Sequence, residues 1–303
     1  MSVAALALVV LASLIHATWN LLTKRAAAAG APFVLAGSAI GVVAYAPWVA
    51  YLLFRDGMVW SVPVFACIAL SAIIHIGYSL SLQRGYQLAD LSVVYPVARG
   101  TGPMLSTIGA ILILGETPKV ERLIGLAFVV AGIAMIATRG DLSTFRSSEA
   151  HRGVKWGAAT GGFIASYTVT DAFAVKGLGV APVVLDWCSL VLRCFVMAPI
   201  LLRDPARAMT AMRGHWLTVI AVGVLSPLSY ILVLTALSLG SPLSVVAPMR
   251  EMSMMVGALM GMIVLKEDVG PWRLVGCAVL LAGRLPRTVI IPARYKPASR
   301  RAR

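Results

Sequence analysis

Residues 92–99 read SVVYPVAR, and residues 244–251 read SVVAPMRE. Ser92-Val93-Val94-x-Pro96 thus returns as Ser244-Val245-Val246-x-Pro248, at an offset of 152 from Ser92 to Ser244. Further blocks follow at an offset of 151. Leu114-x-Glu116 returns as Leu265-x-Glu267, and Arg122-Leu123-x-Gly125-x-Ala127 as Arg273-Leu274-x-Gly276-x-Ala278. Ala131-Gly132 returns as Ala282-Gly283. Agreement of several blocks at one near-constant spacing marks a duplicated unit, with one small indel between the copies.

Working outward from these blocks, the chain is a series of long apolar runs. It is 59% hydrophobic and 13% charged, where a soluble domain carries about a quarter charged residues. Runs bounded by charges and Gly/Pro breaks fall at about 3–22, 32–54, 62–83, 91–114, 122–138, 153–172, 182–202, 216–238, 243–265 and 272–291. About 20 apolar residues carry a helix across the hydrocarbon core. With no water there, each segment must close its own backbone hydrogen bonds. The connections are short; the longest, around 139–152, carries Arg139, Asp141, Arg146, Glu149 and Arg152. These features predict an all-α integral membrane protein of ten transmembrane helices in two five-helix repeats. The repeats span 1–140 and 152–291, and a basic tail follows at 292–303. Five is odd, so the second copy enters the bilayer from the opposite side. Inverted repeats of this kind belong to secondary transporters, whose substrate site lies near the midplane between the copies.

The first run is read as a membrane span and not as a cleaved signal peptide. No Lys or Arg precedes it, and His16, Trp19 and Asn20 interrupt it. The net charge is +14, from 26 Lys+Arg against 12 Asp+Glu. These charges sit in the connections and the tail. No basic face with interleaved aromatics is present for nucleic acid, so the lipid bilayer is the expected partner. Basic residues on the two sides nearly balance once Arg284, Arg287, Arg294, Lys296, Arg300, Arg301 and Arg303 are counted, and the positive-inside rule leaves the orientation open. Cys67, Cys188, Cys194 and Cys277 all lie in apolar blocks without a CxxC pair, which suits small buried side chains.

Ionisable residues inside a span cost about 2.5–3.5 kcal/mol each on insertion scales and mark cavities or bundle interiors. In the first span His16, Trp19, Asn20 and Thr23 form one polar stripe. In the third, Ser71, His75 and Tyr78 share a face, and in the sixth Tyr167, Thr170 and Asp171 do. Tyr230 belongs to the eighth. Each stripe serves either as an interhelical hydrogen-bond face or as cavity lining. Arg99 stands three residues after Pro96, and Glu251 three after Pro248. Equivalent repeat positions therefore carry opposite charges beside helix-kinking prolines. Arg99 can clamp a carboxylate by a two-toothed hydrogen bond. Glu251 can pair with it, hold a substrate amine or carry a coupling proton. Arg250 points about 100° away on a regular helix. Gly125, Ala127, Ala131 and Gly132 read as close packing, and Glu116 and Glu267 as structural turns. The residues expected to bind substrate are His16, Trp19, Asn20, His75, Tyr78, Arg99, Tyr167, Asp171, Tyr230 and Glu251.

Three features carry a resemblance: His16-Ala17-Thr18-Trp19-Asn20, the Pro96 and Pro248 segments, and the Leu114-Gly115-Glu116 and Leu265-Lys266-Glu267 turns before Gly/Ala-rich helices. With these the chain resembles EamA-type permeases of the drug/metabolite transporter superfamily, with two EamA domains. The resemblance extends to about Gly283. It implies a multi-pass protein of the inner (plasma) membrane with both ends cytoplasmic. It also implies a secondary transporter, an exporter of a small metabolite such as an amino acid, working by alternating access. A flippase for lipid or lipid-linked substrates is the alternative on the same fold.

An enzyme is not expected. No HExxH, GxSxG or Asp-rich metal motif occurs, and no GxxxxGK[ST] loop for ATP. No cofactor is implied, and the oligomeric state is open. The tenth run departs from the family pattern, because Arg284, Pro286 and Arg287 precede Val289-Ile290-Ile291. A short last helix is expected there, as a changed reading frame after Gly283 would leave it.

Overall fold

The computed structural model describes residues 1–26, 29–89, 91–138, 141, 148–201, 203–256 and 271–282. Every regular element among them is helical. The first half holds α1 (Val3–Arg25), α2 (Gly30–Asp56), α3 (Val62–Leu88), α4 (Leu91–Leu112) and α5 (Val120–Thr138). The second holds α6 (Ser148–Gly177), α7 (Pro182–Leu201), α8 (Pro205–Met212), α9 (Trp216–Ser238), α10 (Leu243–Arg250) and α11 (Pro271–Ala282). Within α1, α2, α3, α7 and α9 lie stretches long and apolar enough by themselves to cross a membrane.

Two expectations of the sequence need correction. The link between the seventh and eighth runs contains α8. Asp204 caps it by accepting the Arg207 N–H at 3.0 Å, and Pro205 occupies the first turn, where a missing N–H costs nothing. The ninth run is not one continuous helix. It breaks after Arg250, where the Glu251 N–H turns to the Pro248 carbonyl at 3.2 Å. Pro248 has no N–H for the Ser244 carbonyl, so the ladder is weakened one turn before the break. Residues 257–265 of that run lie outside the described residues. So do residues 283–303, including the expected short end of the last helix and the basic tail.

The surface is apolar and the interior holds charge, the reverse of a water-soluble protein. Val43, Phe54, Phe195 and Leu217 face outward, Phe54 being 95% exposed. Arg99, Asp171, Asp186, Arg250 and Glu251 are buried. A lipid environment explains both halves of this pattern.

The helices pair across the two copies. α1 packs on α9 and α6 on α3; α2 packs on α7, α4 on α10 and α5 on α11. Exchanging each helix of the first copy for its counterpart turns the first pair into the second and leaves the other three unchanged. Glycines allow the closest of these contacts. Gly153, Gly157 and Gly161 form a stripe on α6, and a Cβ on Gly157 would lie 2.8 Å from the Val94 carbonyl of α4. A Cβ on Gly276 would lie 2.9 Å from the Gly132 carbonyl, so α5 and α11 meet through the small residues read as packing.

Candidate functional site

The buried charges gather where α1, α4 and α10 meet. Pro96 and Pro248 lie one turn before Arg99 and Glu251, each in a helix that cannot keep a regular ladder there. Arg99 Nη1 donates to Glu251 Oε2 at 3.4 Å, with side chains 4% and 0% exposed. Arg99 Nη2 donates to His16 Nε2 at 2.5 Å. A guanidinium only donates, so His16 accepts through Nε2 and is neutral in this arrangement. The Arg99 guanidinium also lies 5.2 Å over the Tyr95 ring. On the far side of Glu251, Arg250 Nε lies 3.7 Å from Oε1. The long side chains of these two neighbours reach each other although successive residues point about 100° apart on a helix. Two buried arginines thus share one carboxylate.

A second cluster adjoins the first through Arg250, whose guanidinium lies 6.0 Å from the Tyr167 ring centre. Tyr167 stacks on His75 at 4.0 Å and meets Tyr78 and Tyr230 edge-on at 5.8 and 5.7 Å. Tyr230 donates its hydroxyl to Asp171 Oδ2 at 2.5 Å. His75 Nδ1 lies 2.9 Å from the Ser71 carbonyl, so that nitrogen carries the proton. Four helices from both copies therefore converge: α3, α6, α9 and α10.

Residues 3–138 match the model of the EamA-like transporter family. Over this stretch the chain is similar to EamA-like transporters. With five helices among the described residues long and apolar enough to cross a membrane, the chain is a multi-pass membrane protein. One solved crystal structure shares the fold over 93% of this chain and 96% of its own, with a TM-score of 0.67 and 17% identity. No curated protein matches.

The two halves bring eight of the ten expected residues into one connected network: His16, His75, Tyr78, Arg99, Tyr167, Asp171, Tyr230 and Glu251. Trp19 touches its edge, with its ring 4.7 Å from His16, but its indole N–H donates to Ser229 of α9 at 3.1 Å. Asn20 donates to the His16 carbonyl of its own helix at 2.9 Å. Sequence reasoning passed over Tyr95, and it passed over Asp186 and Arg193 on α7. The last two are ionisable residues in an apolar run, which is signal enough. Asp186 Oδ1 lies 3.7 Å from Arg193 Nη2.

Glu116 is more than a turn. Gly115, at φ 66°, reverses the chain after α4 in a conformation that favours glycine. Glu116 then accepts the Leu243 N–H at 2.6 Å and the Ser244 N–H at 3.0 Å, the first free amides of α10. Lys176 at the end of α6 donates to Glu116 at 2.9 Å and to the Ser241 carbonyl at 3.4 Å. Burial works to raise the Glu116 pKa. The Ser244 amide, the Lys176 ammonium and the Leu243 amide outweigh it and hold the carboxyl below its ordinary 4.5. Thus α4 holds α10 at both ends, by Glu116 at its start and by Arg99 just past its finish.

Proposed function

We propose that this protein is a secondary transporter of the inner (plasma) membrane that exports a small metabolite such as an amino acid. The two copies, residues 1–140 and 152–291, act as inverted repeats that rock about the buried centre. The observation that carries this reading is the Arg99–Glu251 pair. It joins equivalent positions of the two copies, is wholly buried, and sits beside two helix-weakening prolines. A pair of opposite charges between moving bodies opens when the bodies part. Arg99 then has its fork free for a substrate carboxylate. Arg250 adds a second guanidinium, and Tyr78, Tyr167, Tyr230 and His75 supply apolar faces and hydroxyls for the rest of the molecule. His16, Trp19 and Asn20 form the α1 wall of this centre, and Asp171 closes it on α6. The symmetry of the helix pairing supports the two-copy arrangement, since alternating access needs two equivalent packings.

The test is uptake into liposomes containing the purified protein, against amino acids, organic acids and lipid analogues. Transport of a carboxylate-bearing solute, lost in Arg99→Ala and in Glu251→Gln at normal expression, supports the reading. Parent-rate transport in both variants refutes it. Transfer of lipid analogues alone replaces it by a flippase.

A further inference from the structure

A second ionisable centre lies behind the first, where α3, α6 and α7 meet. Asp171 on α6 and Asp186 on α7 are 1% and 4% exposed, and they lie within electrostatic reach of each other. Each carboxylate is only half engaged. Asp171 uses Oδ2 with Tyr230 and has the Ser71 hydroxyl beside it, and its buried Oδ1 makes no well-formed hydrogen bond. Asp186 has Oδ1 near Arg193, and its buried Oδ2 has none. Ser189, one turn after Asp186, also has a buried hydroxyl without a partner.

The surroundings are defined on every side. From α3 come Cys67, Ser71 and His75, the last with Nδ1–H turned to the Ser71 carbonyl. From α7 comes Arg193, from α9 the Tyr230 hydroxyl, and from α10 Arg250 on the other side of the Tyr167 ring. The nearest cation of α4, Arg99, is committed to His16 and Glu251. One guanidinium therefore faces two carboxylates, inside a membrane span. A carboxylate without a countercharge in such a place is far more costly than its neutral acid.

We propose that Asp171, with Asp186 as a second buried carboxylate, is a proton-binding site joined to the Arg99–Glu251 centre through the Tyr167 cluster, and that it carries the proton coupled to transport. One proton on Asp171 Oδ1 leaves Asp186 and Arg193 as a neutral pair. It also gives the buried oxygen a donor, with the neighbouring Ser71 hydroxyl as an acceptor. A proton suits this site better than a metal ion. It needs no volume in a packed interior, and the Arg193 guanidinium repels a second full cation. The Tyr230 hydroxyl ties the site to the aromatic cluster around Tyr167, so rearrangement of that cluster alters the environment of the proton. The proposal rests on the transporter reading for the use of the proton and not for its presence.

The test needs no substrate. Infrared difference spectra of the full chain in lipid are recorded between acid and alkaline pH, with and without carbon-13 aspartate. The expected result is a protonated-carboxyl band that titrates, moves to lower frequency with the aspartate label, and is lost in Asp171→Asn. Asp186→Asn, which removes a neighbouring negative charge, moves the titration to lower pH. If Asp171→Asn does not fold, Tyr230→Phe serves instead, because deleting the hydrogen bond to Oδ2 shifts the labelled band. The proposal is overturned if no aspartate band titrates, if the band survives Asp171→Asn, or if it ignores Tyr230→Phe. It is also overturned if sodium, replacing choline at constant pH, abolishes the band, since the site would then hold a metal ion. A titrating Asp171 in a protein that moves no solute retains the proton site and rejects the transporter.

Discussion

The Glu116 clasp makes a pH-dependent contribution whose size and sign follow from its contacts. Glu116 is 10% exposed and satisfies two amides at the start of α10. Losing a side-chain cap costs about 0.5–2 kcal/mol, and the partner Lys176, 27% exposed, adds about 0.2–1 kcal/mol. Glu116→Ala should therefore destabilise the fold by roughly 1–3 kcal/mol. Glu116→Gln keeps an acceptor but loses the charge, and should cost about 1 kcal/mol. The folded-state pKa lies below the ordinary 4.5, so the unfolded chain takes up a proton first as pH falls. The contribution is complete above about pH 4.5 and is lost as pH drops through the lower, folded value. Thermal melting of the purified parent and of Glu116→Gln, followed by tryptophan fluorescence from neutral to acid pH, reads this directly. The parent should melt higher at neutral pH, and the gap should close only below about pH 4.5. A gap that is absent at neutral pH, or that stays constant on acidification, refutes the reasoning.

Arg99→Lys should lose most transport at normal expression, because an ammonium cannot serve Glu251 and His16 through one planar fork; radiolabelled uptake checks this. Removing either member of the buried Arg99–Glu251 pair should cost about 3–5 kcal/mol, and reversing both charges together should restore melting better than either reversal alone. Trp19→Phe and Ser229→Ala should each cost about 0.6 kcal/mol, and the double variant no more than one of them, as a melting cycle on their shared hydrogen bond will show. Gly223→Val should impair folding, because a Cβ there would already lie 2.8 Å from the Gly37 carbonyl of α2; monodispersity on size exclusion measures it.

The contact between Arg99 and Glu251 was legible because duplication preserves position. Equal places in two copies of one fold face each other when the copies pack as a pair, and a shared SVVxP block located both residues. Arg250 was misplaced because an angle of about 100° between successive residues does not keep two long side chains apart. The α8 helix was missed because eight residues reading PARAMTAM contain no apolar run, only a capping Asp204 and a Pro205. Glu116 looked like a turn because the amides that donate to it lie 127 and 128 positions away, and local pattern says nothing about such distances. The paired arrangement of α1 with α9 and of α3 with α6 follows from the repeat only after one half-pair is seen.

The repeat also shows where the two copies differ, and the chemistry lies in the differences. At the offset of 152 that relates the Pro96 and Pro248 blocks, Asp171 falls on Trp19, Asp186 on Val34 and Arg193 on Gly41. The whole second ionisable centre thus belongs to the second copy, with no charged counterpart in the first. Arg99 belongs to the first copy, while Arg250 and Glu251 belong to the second. In the proposed mechanism the symmetric scaffold supplies two equivalent packings, and the unsymmetrical charges make them respond differently to a proton and to an anionic group. Coupling needs that difference, because a ligand with equal affinity for both states shifts neither.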